Sequence, residues 1–328
     1  MIVSRTPLRM SFIGGGSDIP TFYKRHKGAV VSTTIDKYIY ITVNEKFDNK
    51  IRASYSKTEI VDKVEQLKHE LIRESLKMVN LDSGIEITSI ADIPSRGTGL
   101  GSSGSYTVGL LNALYAFKRE YASAETLAKE ACQIEIEKLG KPIGKQDQYA
   151  AAFGNFNYIQ FNSDDSIFVD PITCHRETKQ RLQKNLLLLY TGLTRSSSSI
   201  LKDQSKNMQE DKKRISFMEK MVQLAEHLKR ALEDNQLDDF GELLHQNWLL
   251  KRQMADKISN PKIDRWYETG RRNGALGGKI LGAGGGGFLL FYAPPEKHRA
   301  IYQALPELKP TPFSFESQGS KIIYFEER

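Results

Sequence analysis

The segment Pro94-Ser-Arg-Gly-Thr-Gly-Leu-Gly-Ser-Ser-Gly-Ser105 packs four glycines and three serines into the nine residues from Gly97 to Ser105. Backbone N–H groups in such a loop lie open to a ligand. The apolar run that begins at Ser105 predicts a helix whose N-terminus presents the positive end of its dipole. Phosphate is the ligand that this chemistry suits. The hydroxyls of Ser102, Ser103 and Ser105 are then available to phosphate oxygens or to Mg²⁺, with Arg96 alongside. The alternative is an ordinary turn in which Ser102 or Ser103 caps the helix.

Within the loop, Gly99-Leu-Gly101-Ser-Ser-Gly104 has G-x-G-x-x-G spacing, but its position near residue 100, with a helix pair rather than a strand after it, speaks against a dinucleotide fold. The Lys-Ser/Thr pair of a P-loop is missing as well. Gly274-Ala-Leu-Gly-Gly-Lys279 falls one residue short of that pattern, with Ile280 where a hydroxyl is needed. Glycine recurs at Gly282-Ala-Gly-Gly-Gly-Gly287, just before the apolar Phe288-Leu-Leu-Phe-Tyr292, and at Gly14-Gly15-Gly16. Fifteen of the 25 glycines lie in three stretches, 14–16, 97–104 and 274–287. A backbone without Cβ atoms can approach a ligand or another loop closely, the alternative at 282–287 being a tight turn.

The elements that must position these loops are mixed. Ala29–Ile35, Tyr38–Val43, Ile51–Tyr55, Ile85–Ile90, Phe156–Phe161 and Ile167–Val169 read as strands in the first half. Residues 61–79 predict a helix with a stripe at Val61, Val64, Leu67, Leu71 and Ile72. Further helices are predicted from Ser105 to about Lys118, from a Ser123 cap to about Leu139, and from near Gln146. The second half opens on a buried strand at Leu186–Tyr190 and is helical from about Ser196 to Arg272, with a break at Asn260-Pro261. It ends strand–helix–strand at Gly287–Tyr292, Glu296–Leu305 and Lys321–Phe325. The pattern predicts an α+β fold in two closely packed halves, 1–170 and 171–328.

Composition narrows the class. The chain has 328 residues, 39% hydrophobic and 27% charged, which excludes collagen-like, coiled-coil and disordered proteins. Cys132 and Cys174 are too few for a disulfide framework, and no His/Cys spacing of the zinc type occurs. No apolar run reaches the roughly 18–20 residues of a membrane span, and the N-terminus has no export pattern, so a cytoplasmic location is expected. A net charge of +7 favours anions, but the basic residues are spread out with no aromatic-interleaved stripe. Neither nucleic acid nor membrane is expected as a partner, and a homodimer is left open.

Taken in order, Arg5-Thr-Pro-Leu-Arg-Met-Ser-Phe-Ile-Gly-Gly-Gly-Ser-Asp18, the loop at 94–105 and Lys279-Ile-Leu-Gly-Ala-Gly-Gly-Gly-Gly287 resemble the three motifs of the GHMP superfamily of small-molecule kinases. The resemblance implies a GHMP kinase fold with its site between two halves, and ATP and Mg²⁺ as cofactors. By that resemblance, Arg96, Gly97, Thr98, Gly99, Leu100, Gly101, Ser102, Ser103, Gly104 and Ser105 would hold the triphosphate, and Ser103 with Glu135 the metal. Asp147, in Gly144-Lys-Gln-Asp-Gln148, would accept the proton of the attacking hydroxyl, with Arg9 as its electrostatic partner. Asp18, with Gly15, Gly16 and Ser17 and with Gly284 and Gly285, would face the sugar. Read alone, these side chains carry plainer meanings: Asp147 favours a helix start, Glu135 is solvated on a helix, Arg9 is a strand-edge cation, and Ser17 or Asp18 with Pro20 starts a helix.

Within the superfamily, Gly14–Asp18, Tyr106–Leu114, Gly144–Gly154 and Leu189–Gly192 are similar to kinases of D-glycero-D-manno-heptose 7-phosphate. That implies phosphorylation of the anomeric hydroxyl to give the 1,7-bisphosphate. Heptose 1-phosphate or fucose kinases, or a catalytically silent sugar sensor, are the alternatives. Galactokinases carry Gly-Glu-His where this chain has Gly15-Gly16-Ser17, a loss that leaves room for a larger or phosphorylated sugar. Arg195, among hydroxyls just after a buried strand, is the expected contact for such a phosphate, or part of a helix cap region.

Overall fold

The computed structural model describes residues 1–94, 97–194 and 197–326. Its spine is a strand, Gly28–Glu45, rich in Val, Ile, Thr and Tyr. The two strands expected at 29–35 and 38–43 are one. A bulge between them absorbs Asp36 and Lys37, because the antiparallel partner Ile2–Ile13 pairs Pro7 with Tyr38 and then Leu8 with Ile35. The outer end of the spine pairs with Ile85–Ala91 and the inner end with Phe156–Phe161. Among the described residues this larger sheet has nine strands, and the last ones of the chain, Phe315–Glu316 and Lys321–Phe325, return to it.

The smaller sheet is antiparallel, in the order Lys309–Pro310, Leu186–Tyr190, Phe288–Tyr292, Gly277–Ile280. Leu186–Leu189 and all of Phe288–Tyr292 are buried, which accounts for their continuous apolar runs. Helix Phe240–Arg252 covers Gly277–Ile280 and packs on helix Lys212–Glu233. Phe12 joins the two halves of the core, stacked on Phe156 at 5.9 Å and meeting the edge of Phe240 at 5.4 Å. The arrangement is α+β.

Helix Ser102–Phe117 lies across Ile2–Ile13 and Gly28–Glu45, burying Val108, Leu110, Leu111, Ala113 and Leu114. Helices Ala124–Cys132 and Gln146–Phe153 pack beside it. Two expectations change. The stripe at 61–79 is divided among a strand, Thr58–Val61, a 3₁₀ turn, Val64–Gln66, and a helix, Glu70–Met78, since Leu67 turns to extended backbone before the helix can begin. The helix expected to run on to Leu139 changes pitch after Cys132, where Gln133–Lys138 form a π-helical turn. Among the described residues, no helix is long and apolar enough to cross a membrane.

Candidate functional site

A cavity of about 640 Å³ opens between the two sheets, and all three glycine stretches reach it. Gly97, Thr98, Gly99, Gly101, Ser102, Ser103 and Gly104 form one wall. Helix Ser102–Phe117 starts there with Gly101 as its N-cap, and among the described residues no side chain accepts from its first backbone N–H groups. Its leading N–H groups are therefore open to an anion, which is the arrangement that binds phosphate.

The glycines at 282–287 support this wall. At Gly99, with φ +78°, a Cβ would stand 2.3 Å from the Leu281 carbonyl oxygen, and one at Gly282, φ +72°, 2.6 Å from the Gly99 Cα. The close approach expected for that stretch is made to the phosphate-type loop itself.

Arg9 lies in the middle of Ile2–Ile13, 4% exposed. Its Nε donates to Asp147 Oδ1 at 2.8 Å, its Nη2 makes an ion-pair contact with the same oxygen at 2.6 Å, and its Nη1 donates to the Gly99 carbonyl at 2.6 Å. One guanidinium thus fixes a carboxylate against the glycine loop. Asp147 sits in the first turn of helix Gln146–Phe153, and its Oδ2 has no hydrogen-bond partner among the described residues. A carboxylate held by one oxygen with the other free can take a proton from a hydroxyl placed beside it.

Glu135, read from sequence alone as a solvated helix residue, is fully buried. The π-helical turn rotates it inward, as an extra residue per turn does. Its Oε1 accepts from Thr107 Oγ1 at 3.2 Å and Gln148 Nε2 at 2.9 Å, and its Oε2 accepts from the Ser103 hydroxyl. Lys141 Nζ bridges the pair, 3.0 Å from Glu135 Oε2 and 3.2 Å from Ser103 Oγ. Two hard oxygens converging on one cation position fit the protein share of a magnesium site, the remaining ligands coming from phosphate and water. No cluster of three or more His, Cys, Asp or Glu able to hold a metal by itself occurs among the described residues.

Asp18 is buried at the other end of the cavity. It accepts from Gly16 N at 2.9 Å, Gln146 N at 3.1 Å and Gln146 Nε2 at 2.9 Å. Burial raises its pKa, with those backbone donors working in the opposite direction and Asp147 adding to the rise. Beside it, Ser11 Oγ and Gln146 Oε1 are buried with no partner among the described residues, and both residues line the cavity. Free hydroxyl and amide groups around a buried carboxylate form a set suited to a polyol.

Of the remaining expected residues, Gly15, Gly16 and Gly284 line the cavity. Gly285 lies behind that wall and donates to the Ile258 carbonyl. Ser17, Leu100 and Ser105 turn away from the cavity. Ser17 exchanges hydrogen bonds with the backbone of Ala29, Leu100 is a core residue whose carbonyl accepts from Arg9 N, and Ser105 donates to the Pro7 carbonyl. Arg96 and Arg195 lie outside the described residues. Thr194 and Ser198, on either side of Arg195 in the chain, both line the cavity.

Three residues in or beside the wall were not picked out from sequence as site residues. Lys251, on the last turn of Phe240–Arg252, reads as an ordinary cation favoured by the helix dipole. Lys279 stands in the sequence only as the lysine of the incomplete P-loop pattern and the first residue of the third motif, and Gln204 as a polar residue of the predicted helical stretch. In the structure, Lys279 donates to the carbonyls of Ser11 and Phe12, both at 2.9 Å, and Lys251 to Gly15 O at 2.8 Å and Gln204 Oε1 at 2.9 Å. Burial pushes the Lys251 ammonium down to about 8, partly offset by Asp18, and pushes Lys279 down as well, with Lys251 and Arg9 adding to the effect.

Comparison with known proteins bears on the family and the fold. Residues 62–155 match the model for the GHMP kinases N terminal domain, and residues 228–310 that for the GHMP kinases C terminal domain. The chain is 30% identical to a D-glycero-alpha-D-manno-heptose 7-phosphate kinase of Campylobacter jejuni, over 98% of each chain. It is 26% identical to a galactokinase of Pyrococcus furiosus, over 93% of this chain and 92% of the relative. The crystal structure of a D-glycero-D-manno-heptose 1-phosphate kinase from Bacteroides thetaiotaomicron superposes over all of both chains with a TM-score of 0.83 at 26% identity.

Proposed function

The chain belongs to the GHMP kinases and is an ATP-dependent sugar kinase, and on that premise we propose that it phosphorylates the anomeric hydroxyl of D-glycero-D-manno-heptose 7-phosphate to give the 1,7-bisphosphate. The observation that carries the reaction type is the Arg9–Asp147 pair facing an open helix N-terminus within one cavity. Support for the acceptor comes from the Campylobacter jejuni relative, which matches along nearly the whole chain.

In the proposed reaction the acceptor lies over Asp18, Ser11 and Gln146, with its anomeric O–H directed at Asp147 Oδ2. The hydroxyl oxygen forms a bond to the γ-phosphorus as the bond from that phosphorus to the β,γ-bridging oxygen breaks. The proton passes to Asp147, and ADP leaves with the electron pair of the broken bond. Arg9 holds the carboxylate in place and offsets negative charge developing beside it. The first-turn N–H groups of Ser102–Phe117 and the hydroxyls of Ser102 and Ser103 cradle the triphosphate. Glu135 and Ser103 would hold Mg²⁺, which when bound neutralises phosphate charge. The division into an N-terminal domain, 1–170, and a C-terminal domain, 171–328, belongs to the same proposal, with the cavity between them.

The test is a panel of sugars and sugar phosphates with ATP, including heptose 7-phosphate, heptose 1-phosphate and fucose, the phosphorylated position being read by ³¹P and ¹H NMR. The expected product is the 1,7-bisphosphate from the 7-phosphate. Turnover of heptose 1-phosphate or fucose in preference would replace the proposed acceptor, and hydrolysis-only or no product with any acceptor would favour a binding role.

A further inference from the structure

Lys251 is a buried ammonium group with no carboxylate in direct contact, Asp18 acting on it only from a distance. Its two acceptors, the Gly15 carbonyl and the Gln204 amide oxygen, are neutral, and no carboxylate lies within 4.0 Å of it among the described residues. An ammonium has three N–H donors, so one is left over. Gln204 is fully buried as well, and its Nε2 has no hydrogen-bond partner among the described residues. Sequestering a cation and an amide in this way is costly unless something in the cavity compensates them.

Both groups converge on Gly16. A Cβ there would stand 2.2 Å from Gln204 Nε2 and 3.0 Å from Lys251 Nζ, at a φ of +105°. The room expected from the loss of the two galactokinase side chains at positions 16 and 17 is therefore taken at Gly16 by two donors from the other half of the chain. A continuous run of contacts leads to them from the reacting end. Asp147 adjoins Gln146, Gln146 donates twice to Asp18, Asp18 accepts from Gly16 N, and Lys251 holds the Gly15 carbonyl. An acceptor with its reacting hydroxyl on Asp147 and its middle on Asp18 would have its far substituent on the side of Lys251.

We propose that Lys251 and Gln204 form a subsite for an anionic substituent at the end of the acceptor remote from the reacting hydroxyl, a phosphomonoester, and so set the preference for a phosphorylated sugar. This rests on the reading that the cavity binds a sugar acceptor. The lowered pKa of Lys251 accords with it, since an ammonium that burial disfavours gains most from an arriving anion.

The experiment is calorimetric binding of two pairs of ligands, heptose with heptose 7-phosphate and mannose with mannose 6-phosphate, to the wild type and to Lys251→Met and Lys251→Arg, with ATP affinity measured in parallel. Lys251→Met is expected to lower the preference for the phosphorylated member by about 10- to 100-fold, the range for a hydrogen bond to a charged group. The unphosphorylated member and ATP keep their affinity, and Lys251→Arg recovers part of the preference. Equal weakening of both members assigns Lys251 to holding the Gly15 loop and overturns the proposal. So does a loss confined to ATP, or a wild type that prefers neither phosphorylated sugar. If only the mannose pair binds and its preference collapses in Lys251→Met, the heptose reading falls and the subsite stands. Should Lys251→Met fail to fold, Gln204→Leu carries the same comparison with the same outcomes.

Discussion

Asparagine at position 147 separates a base from a positioning group. Asp147→Asn keeps the shape and leaves an amide oxygen to accept from Arg9 Nε, now at 2.8 Å, so the substituted side chain can stay where it is. What it removes is the charge and the capacity to take a proton. General-base assistance is worth about 10²- to 10⁴-fold, which is about 3–5 kcal/mol of barrier. The fold loses less. Arg9 is 4% exposed but the Asp147 side chain is 29% exposed, so solvent screens the pair and its loss costs about 1 kcal/mol of stability. The assay is ADP release coupled to NADH oxidation with saturating acceptor, alongside binding of a fluorescent ATP analogue and thermal melting. The expected result is kcat down by at least about a hundredfold, nucleotide affinity near that of the wild type, and a small shift in melting. Turnover within about tenfold of the wild type, with the variant folded and binding nucleotide, would refute the base and leave catalysis to positioning alone.

Three further outcomes follow from the same wall. Glu135→Gln keeps partners for Ser103 and Thr107 but removes the negative charge, so the Mg²⁺ concentration for half-maximal rate at fixed ATP rises by about tenfold or more, and an unchanged midpoint rules out a metal role. Gly282→Ala forces a Cβ against Gly99 at a positive φ, which costs about 1–3 kcal/mol; a lower melting temperature and weaker nucleotide binding are expected, and wild-type values for both would dismiss the loop-against-loop support. Lys251, faced by Asp18 and Lys279, loses its charge as pH rises through about 8 rather than its ordinary 10.5, so affinity for a phosphorylated acceptor falls across that point while that for the unphosphorylated sugar stays flat. Calorimetry from pH 6.5 to 9.5 checks this, and an identical fall in Lys251→Met would assign it to another group.

The phosphate-type loop was legible because its chemistry is local: glycines, hydroxyls and a helix start lie within a dozen residues. The strand beneath the site was not. Ile2–Ile13 carries Pro7 inside it and polar Ser4, Thr6, Arg9 and Ser11 buried, so the alternation that marks a strand is confined to Leu8–Phe12 and is interrupted before it. Proline argues against a central strand, and it is accommodated here by the bulge opposite Asp36 and Lys37. The inward turn of Glu135 depends on a π-helical turn, which hydrophobic periodicity does not encode. Lys251 and Gln204 were invisible for a different reason. Their meaning lies wholly in what the other half of the chain brings to them, and the residue they meet, Gly16, is 235 positions from Lys251.

That separation bears on how the site is held together. Cross-links between the halves cluster at the cavity: Lys279 on the carbonyls of Ser11 and Phe12, Lys251 on that of Gly15, and Gly282 against Gly99. Two of these use a buried ammonium on neutral carbonyls, a weaker solution than an apolar contact of the same size, because each lysine gives up its hydration for partners that carry no full charge. Were stability the whole purpose, apolar side chains packed as Phe12 and Phe240 are would serve better. The lysines line the wall between Arg9 and Gly16, where the proposed phosphorylated acceptor and the transferring phosphoryl group would both bring negative charge. On the proposal that an anionic ligand compensates Lys251, the stability forgone would be recovered on binding, and ligands should raise the melting temperature more than their number of contacts with the glycine loops alone would suggest.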